Sequence, residues 1–178
     1  MFRVIRKLII KEININKDIV KMMKYKRILH ENKKNYFKKK ISSFLVDYYH
    51  NKIFAKYACD IIPEAQIGKV IFRHSLGIVI GGGAIIDDGV IIHQNVTFGA
   101  LKFDPVERRG IMCKQHIKKN TIICTGAKIL GNVTIGENCI VGANAIVTKD
   151  VPDGATVVGY NKIIFKNEKN NFEEKDDR

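Results

Sequence analysis

From Ile117 the chain places an aliphatic side chain at every sixth position: Ile117, Ile123, Ile129, Ile135, Val141 and Val147. The same beat runs earlier through Ile80, Ile86, Ile92 and Phe98. Neither regular element has that period. At about 100° per residue, a helix scatters every sixth side chain around its circumference. A strand keeps sixth residues on one face, but a single strand of roughly thirty residues is far too long. Gly131, Asn132, Gly136, Asn138, Gly142 and Asn144 would also break it. What remains is a coil of short strands, one for each six residues, with a turn at every joint. That period predicts a β-helix. A sandwich of alternating strands is the competing architecture, and nothing in a sandwich demands so even a beat.

A second column supports the coil. Two residues before each aliphatic stand Ile78, Ala84, Val90 and Val96, then Thr121, Ala127, Val133, Cys139 and Ala145. A spacing of two puts both columns on one strand face, so both are expected to point inward. Asp87, Asp88, Asn95, Lys128, Glu137 and Lys149 fall at the remaining, outer positions.

At 178 residues, 46% of them hydrophobic, the chain can bury a core as one domain with an appendage. Cys59, Cys113, Cys124 and Cys139 have neither paired nor zinc-type spacing and read as thiols of a reducing compartment, with no metal expected. No apolar run approaches membrane-spanning length and no cleavable leader is recognisable, so a cytoplasmic protein is expected. Charge is uneven. Residues 1–60 hold 16 Lys and Arg against 5 acids, a net of +11 out of the chain's +13. Apolar spacings of three and four through Ile19, Met22, Met23 and Tyr25, then Phe37, Ile41, Phe44, Leu45, Tyr48 and Tyr49, predict a helical segment over 1–58. Its lysines invite peripheral contact with an anionic polymer or the inner face of a membrane; no sequence pattern points to a nucleic-acid partner. Residues 59–165 are assigned to the coil, and the polar stretch 166–178 to a disordered tail.

The beat fails twice. Ile67 to Ile80 is thirteen residues, one more than two sides of the coil, so the frame slips near Arg73 and His74. Phe98 to Ile117 is nineteen, one more than three sides, and residues 100–116 are expected to leave the coil as a loop with His116 at its foot. Asp60, fourteen residues before His74, is placed to orient that imidazole from a neighbouring layer. A carboxylate–imidazole pair is a standard general base.

Four segments carry a resemblance: Asp60-Ile61-Ile62-Pro63-Glu64-Ala65-Gln66-Ile67-Gly68, His74-Ser75-Leu76-Gly77-Ile78-Val79-Ile80-Gly81, Gln94-Asn95-Val96-Thr97-Phe98-Gly99-Ala100 and Gly126-Ala127-Lys128-Ile129-Leu130-Gly131-Asn132. In this order they resemble the serine acetyltransferase branch of the hexapeptide-repeat acyltransferases, over about residues 60–160. The resemblance implies a mainly β fold, a left-handed parallel β-helix with a short helical N-terminal segment. It further implies a homotrimer with active sites shared between subunits and acetyl-CoA lying along the coils. His74 matches the family's general base and Asp60 the carboxylate that supports it. Ala100, Thr125, Gly126, Gly142 and Ala143 match backbone contacts to CoA, and Lys162 is placed to meet a CoA phosphate.

The departures concern the acceptor. Arg73 stands where the family has Asp, and Cys113 and Lys114 where it has an Arg-His pair, with His116 two residues out of register. Arg73, Arg108, Arg109 and His116 are the candidate acceptor-binding residues. A short basic leader resembles the O-acetyltransferases of bacterial surface polysaccharides, so the expected acceptor is a sugar hydroxyl in polysaccharide biosynthesis, with L-serine the alternative. A zinc carbonic anhydrase built on His74, His93 and His116 lacks the close histidine pair it needs. A non-enzymatic binder of anionic polymers would rest on residues 1–60 alone.

Overall fold

The computed structural model describes residues 15–31, 35–102, 106, 113–159 and 162–164. Arg108, Arg109, the tail 166–178 and most of the loop expected at 100–116 lie outside the described residues.

Two helices precede the coil: α1 (Ile15–Glu31) and α2 (Tyr36–Tyr57). The side chain of Asn35 caps α2 by accepting from Lys38 N at 3.0 Å. Ala58 ends it in the left-handed region, its N–H donating to Phe54 O. The helices bury facing apolar residues, Ile15, Ile19 and Met22 on α1 and Val46, Ile53 and Tyr57 on α2. A polar clasp lies among them. Buried Asp18 accepts from Lys52 Nζ at 3.0 Å and from the Tyr57 hydroxyl at 3.4 Å. Tyr25 and Tyr49 stack beside it with ring centroids 5.8 Å apart. Lys26 Nζ reaches the coil, donating to Pro63 O at 2.6 Å.

The rest is the predicted parallel β-helix. Its strands are β1 (Asp60–Ile61), β2 (Gln66–Ile67), β3 (Ile71–Phe72), β4 (Val79–Ile80), β5 (Ile85–Ile86), β6 (Ile91–Ile92), β7 (Thr97–Gly99) and β8 (Gln115–Ile117), then β9 (Ile122–Ile123), β10 (Lys128–Leu130), β11 (Val133–Ile135), β12 (Ile140–Val141), β13 (Ile146–Val147), β14 (Thr156–Val158) and β15 (Lys162–Ile164). They stack into three sheets: β1-β4-β7-β10-β13, β2-β5-β8-β11 and β3-β6-β9-β12-β14, the last joined by antiparallel β15. A regular turn takes 18 residues, as Ile80 pairs with Phe98 and Ile129 with Val147. Both expected inward columns are interior: Ile80, Phe98 and Ile129 are fully buried, and so are Ile78, Val96 and Ala127. Thr121, a polar member of the second column, keeps its hydroxyl satisfied on Gly136 O at 2.7 Å.

At the corners the backbone enters the left-handed region, at Asn95, Asn120, Asn138 and Asn144 and at several glycines. The types are coupled between layers. A Cβ at Gly126 would collide with Asn144 Oδ1 in the next coil, and one at Gly77 with Asn95 Oδ1. Asn therefore alternates with Gly along one corner.

The loop boundary needs correction. His116 lies inside β8, opposite Ile85 and Thr134, so the coil resumes before it. Gln115 explains why. It is fully buried, and its Nε2 donates to Gly99 O at 2.9 Å and to Gly131 O at 2.8 Å. It thus occupies an inward position with a polar side chain that ties the strand after the loop to the strand before it.

Candidate active site at a corner of the first coil

The first break in the beat is a real irregularity. Six residues separate Ile92 from Phe98 and Ile123 from Ile129, but eight separate Phe72 from Ile80. The side before it is one short, since Ile67 to Phe72 spans five, which leaves the net slip of one seen in the sequence. Backbone hydrogen bonds locate the extra pair. On a regular corner His93 N donates to Ile123 O while its neighbour Gln94 O accepts from Gly126 N. On the first coil Arg73 N donates to Ile92 O at 2.8 Å, but the next acceptor is Leu76 O, bound by Asn95 N at 2.9 Å. His74 and Ser75 are the inserted residues.

His74 is exposed and has φ of 51°. The left-handed region costs a side chain with a Cβ about 1–2 kcal/mol, and Asn carries that cost best. The regular corners hold Asn or Gly in that region; this corner keeps Gly77 at the equivalent position and adds a left-handed histidine on the insertion. A strained residue at an irregular corner is a functional signal.

The downstream arm of the insertion packs against the helix–coil junction. Gly77 N donates to Ala58 O at 3.1 Å and Asp60 N to Ile78 O at 2.9 Å. Asp60 therefore sits one layer from the segment His74 leads into. Its carboxylate, however, faces the helices: Oδ1 lies 3.1 Å from His50 Nε2 on α2. Among the described residues no hydrogen bond joins Asp60 to His74; Asp60 pairs with His50 instead. A contact between a helix and the start of the coil leaves no mark on the beat, so spacing alone does not reveal it.

Several known proteins resemble this chain. Residues 116–149 match the family described as bacterial transferase hexapeptide, six repeats. A serine acetyltransferase of Buchnera aphidicola is 40% identical over 124 residues, 69% of this chain and 46% of that protein. Soybean serine acetyltransferase, in a structure complexed with serine, is 35% identical with a TM-score of 0.58, covering 71% of this chain and 49% of that one. The Brucella abortus serine acetyltransferase structure with coenzyme A is 28% identical with a TM-score of 0.62, covering 80% and 54%. This chain is a hexapeptide-repeat protein of the serine acetyltransferase-like branch. It spans less than half the length of the curated relatives it matches.

In this hexapeptide-repeat chain the other candidates divide between corners. The register that aligns Ile92 with Ile123 and Ile123 with Val141 carries Thr125, Gly126, Gly142 and Ala143 to the same corner as Arg73 and His74, on successive coils. Thr125 Oγ1 donates to Gln94 O at 3.3 Å, and a Cβ at Gly142 would stand 3.0 Å from Val157 O, so the coils approach closely there. The Lys162 backbone follows on, paired with Val158 in β14. Ala100 lies elsewhere, after β7 at the corner that opens into the loop. His116 lies on the sheet of β8, where its Nε2 is 3.2 Å from Asp87 Oδ2. Gln94, quoted in the resemblance but given no role, has a buried Oε1 without a hydrogen-bond partner among the described residues.

Proposed function

We propose that this chain is an acetyl-CoA-dependent O-acetyltransferase acting on L-serine, with His74 as the general base. The observation that carries the reading is His74 itself, raised on a two-residue insertion in a strained backbone, at the corner shared with the glycine-containing wall of Thr125, Gly126, Gly142 and Ala143. A hydroxyl is a weak nucleophile at neutral pH and needs a positioned base. His74 takes the hydroxyl proton as the oxygen attacks the thioester carbonyl. The C–O bond forms, the C–S bond breaks, and the imidazolium returns its proton to the departing CoA sulfur. The products are the O-acetyl ester and CoA, with no acyl-enzyme.

Acetyl-CoA is assigned to the wall formed by Thr125, Gly126, Gly142 and Ala143, with Lys162 toward its phosphates. Asp60 is assigned to support the base through the segment it packs against, with His50 holding its Oδ1. Arg73 brings a positive charge beside the base and suits the carboxylate of serine. Arg108 and Arg109 are assigned to the acceptor as well. The relatives and solved structures are serine acetyltransferases, which reverses the order of acceptors expected from the basic leader: L-serine moves ahead of a polysaccharide sugar. A homotrimer fits the split between corners. One coil presents its wall at one corner and Ala100 at another, so a site using both draws on two copies. Among the described residues no disulfide joins the cysteines, which suits the cytoplasm.

An acceptor panel tests the substrate. With acetyl-CoA fixed, thiol release is followed with L-serine, D-serine, homoserine, hexoses and a capsular oligosaccharide. L-serine is expected to give the highest kcat/KM, and a sugar ahead of every amino acid would overturn the assignment.

A further inference from the structure

Helix α2 is apolar on two opposite faces. One face, with Ser42, Val46, Ile53 and Tyr57, is buried. At about 100° per residue, Phe37, Ile41, Phe44 and Tyr48 form a row on the far side, with spacings of four, three and four. These residues are 72%, 44%, 68% and 50% exposed, so a large apolar stripe faces outward. Single exposed apolar residues are ordinary, whereas a contiguous row marks an interaction surface.

The flanks identify the partner. Helical spacing puts Lys40 on one side of the row and Lys38 and Lys56 on the other. Lys38, Lys39 and Lys40 make no ion pair among the described residues, and Asp47 is the single acid of α2. Residues 1–60 together carry a net charge of +11. A second copy laid face to face on this helix would set lysine rows against each other. A nucleic acid would meet the lysines but leave the phenylalanines without a purpose. An anionic bilayer satisfies both, since an amphipathic helix beds its apolar row at the acyl boundary while its lysines meet the headgroups. Among the described residues no helix is long and apolar enough to cross a membrane, so the contact lies in the plane of the surface.

We propose that the Phe37–Ile41–Phe44–Tyr48 face of α2 docks the protein on anionic membranes, bringing a soluble acetyl donor to the bilayer surface. This docking is independent of which hydroxyl His74 serves. The test is sedimentation of the full chain with vesicles of mixed phosphatidylglycerol and phosphatidylcholine, against vesicles of phosphatidylcholine alone. Binding to the anionic vesicles alone is expected, weakened by salt. Phe37→Ser with Phe44→Ser, and separately Lys38→Glu with Lys40→Glu, should each reduce it at least about tenfold. Acetyl transfer in solution and the far-UV circular dichroism should be unchanged in both variants, because these side chains lie on the exposed face. Three results would overturn the proposal. One is no sedimentation of the parent protein with anionic vesicles. Another is sedimentation indifferent to the phenylalanine changes, which marks plain charge attraction. The last is a smaller oligomer in the phenylalanine variant by sedimentation equilibrium, which assigns the face to a second copy.

Discussion

His74 adopts a backbone conformation that the other corners reserve for Asn and Gly, and it does so on inserted residues that regular coiling does not require. That much was legible, because an insertion disturbs a six-residue period visibly. Its partner was not. Asp60 was expected on His74, yet its Oδ1 meets His50, a contact between α2 and β1 that follows from how the helix docks. Replacing His50 by Ala should free that carboxylate and lower kcat on the order of tenfold or more, with the KM for acetyl-CoA little changed. His50→Gln, which keeps a donor on a side chain of similar reach, should restore much of the loss. Equal kcat in His50→Ala and the parent would remove His50 from the account.

Among the elements, the corners impose the most local demands. Gly126 and Gly154 have nearly the same backbone, with φ of 71° and 72°, but a Cβ at Gly126 meets Asn144 while one at Gly154 meets nothing within 4 Å. Gly154→Ala should cost about 1–2 kcal/mol from conformation alone. Gly126→Ala should cost at least about 1 kcal/mol more, from the collision. Urea midpoints of the two variants check the difference. The helical pair has its own signature in alkali. The hydrogen bond and charge of Asp18 outweigh burial and raise the Lys52 amine above its ordinary 10.5. Burial first, and then Asp18, raise the Tyr57 phenol above 10.0. Both groups hold their protons more tightly folded than unfolded. Their stabilisation is therefore complete below those ordinary values and is lost as pH rises through the folded ones. Chemical denaturation should show a decline above about pH 10 that Asp18→Asn flattens; an identical decline in that variant would exclude the clasp as its source.

The architecture of the whole molecule was readable because it depends on which side chains point inward, and the period of the sequence states that directly. Ile80, Phe98, Ile129 and Val147 stack in the order in which the beat presents them. The loop was legible as a gap but not in its extent, since Gln115 fills an inward position with a polar side chain and so hid the return to the coil. The acceptor was less legible still. The wall of the coil repeats from layer to layer, whereas the positions expected to choose between serine and a sugar, Arg73 and the loop, fall outside the repeat. All of these parts converge on one claim, that the corner insertion presents a base to an acceptor hydroxyl beside the acetyl thioester. Steady-state acetyl transfer from acetyl-CoA to L-serine by the parent and by His74→Ala, with CoA affinity measured alongside, tests it most directly. The predicted result is a fall in kcat of about 10²–10⁴-fold with CoA binding retained, whereas unchanged turnover in His74→Ala would contradict the account.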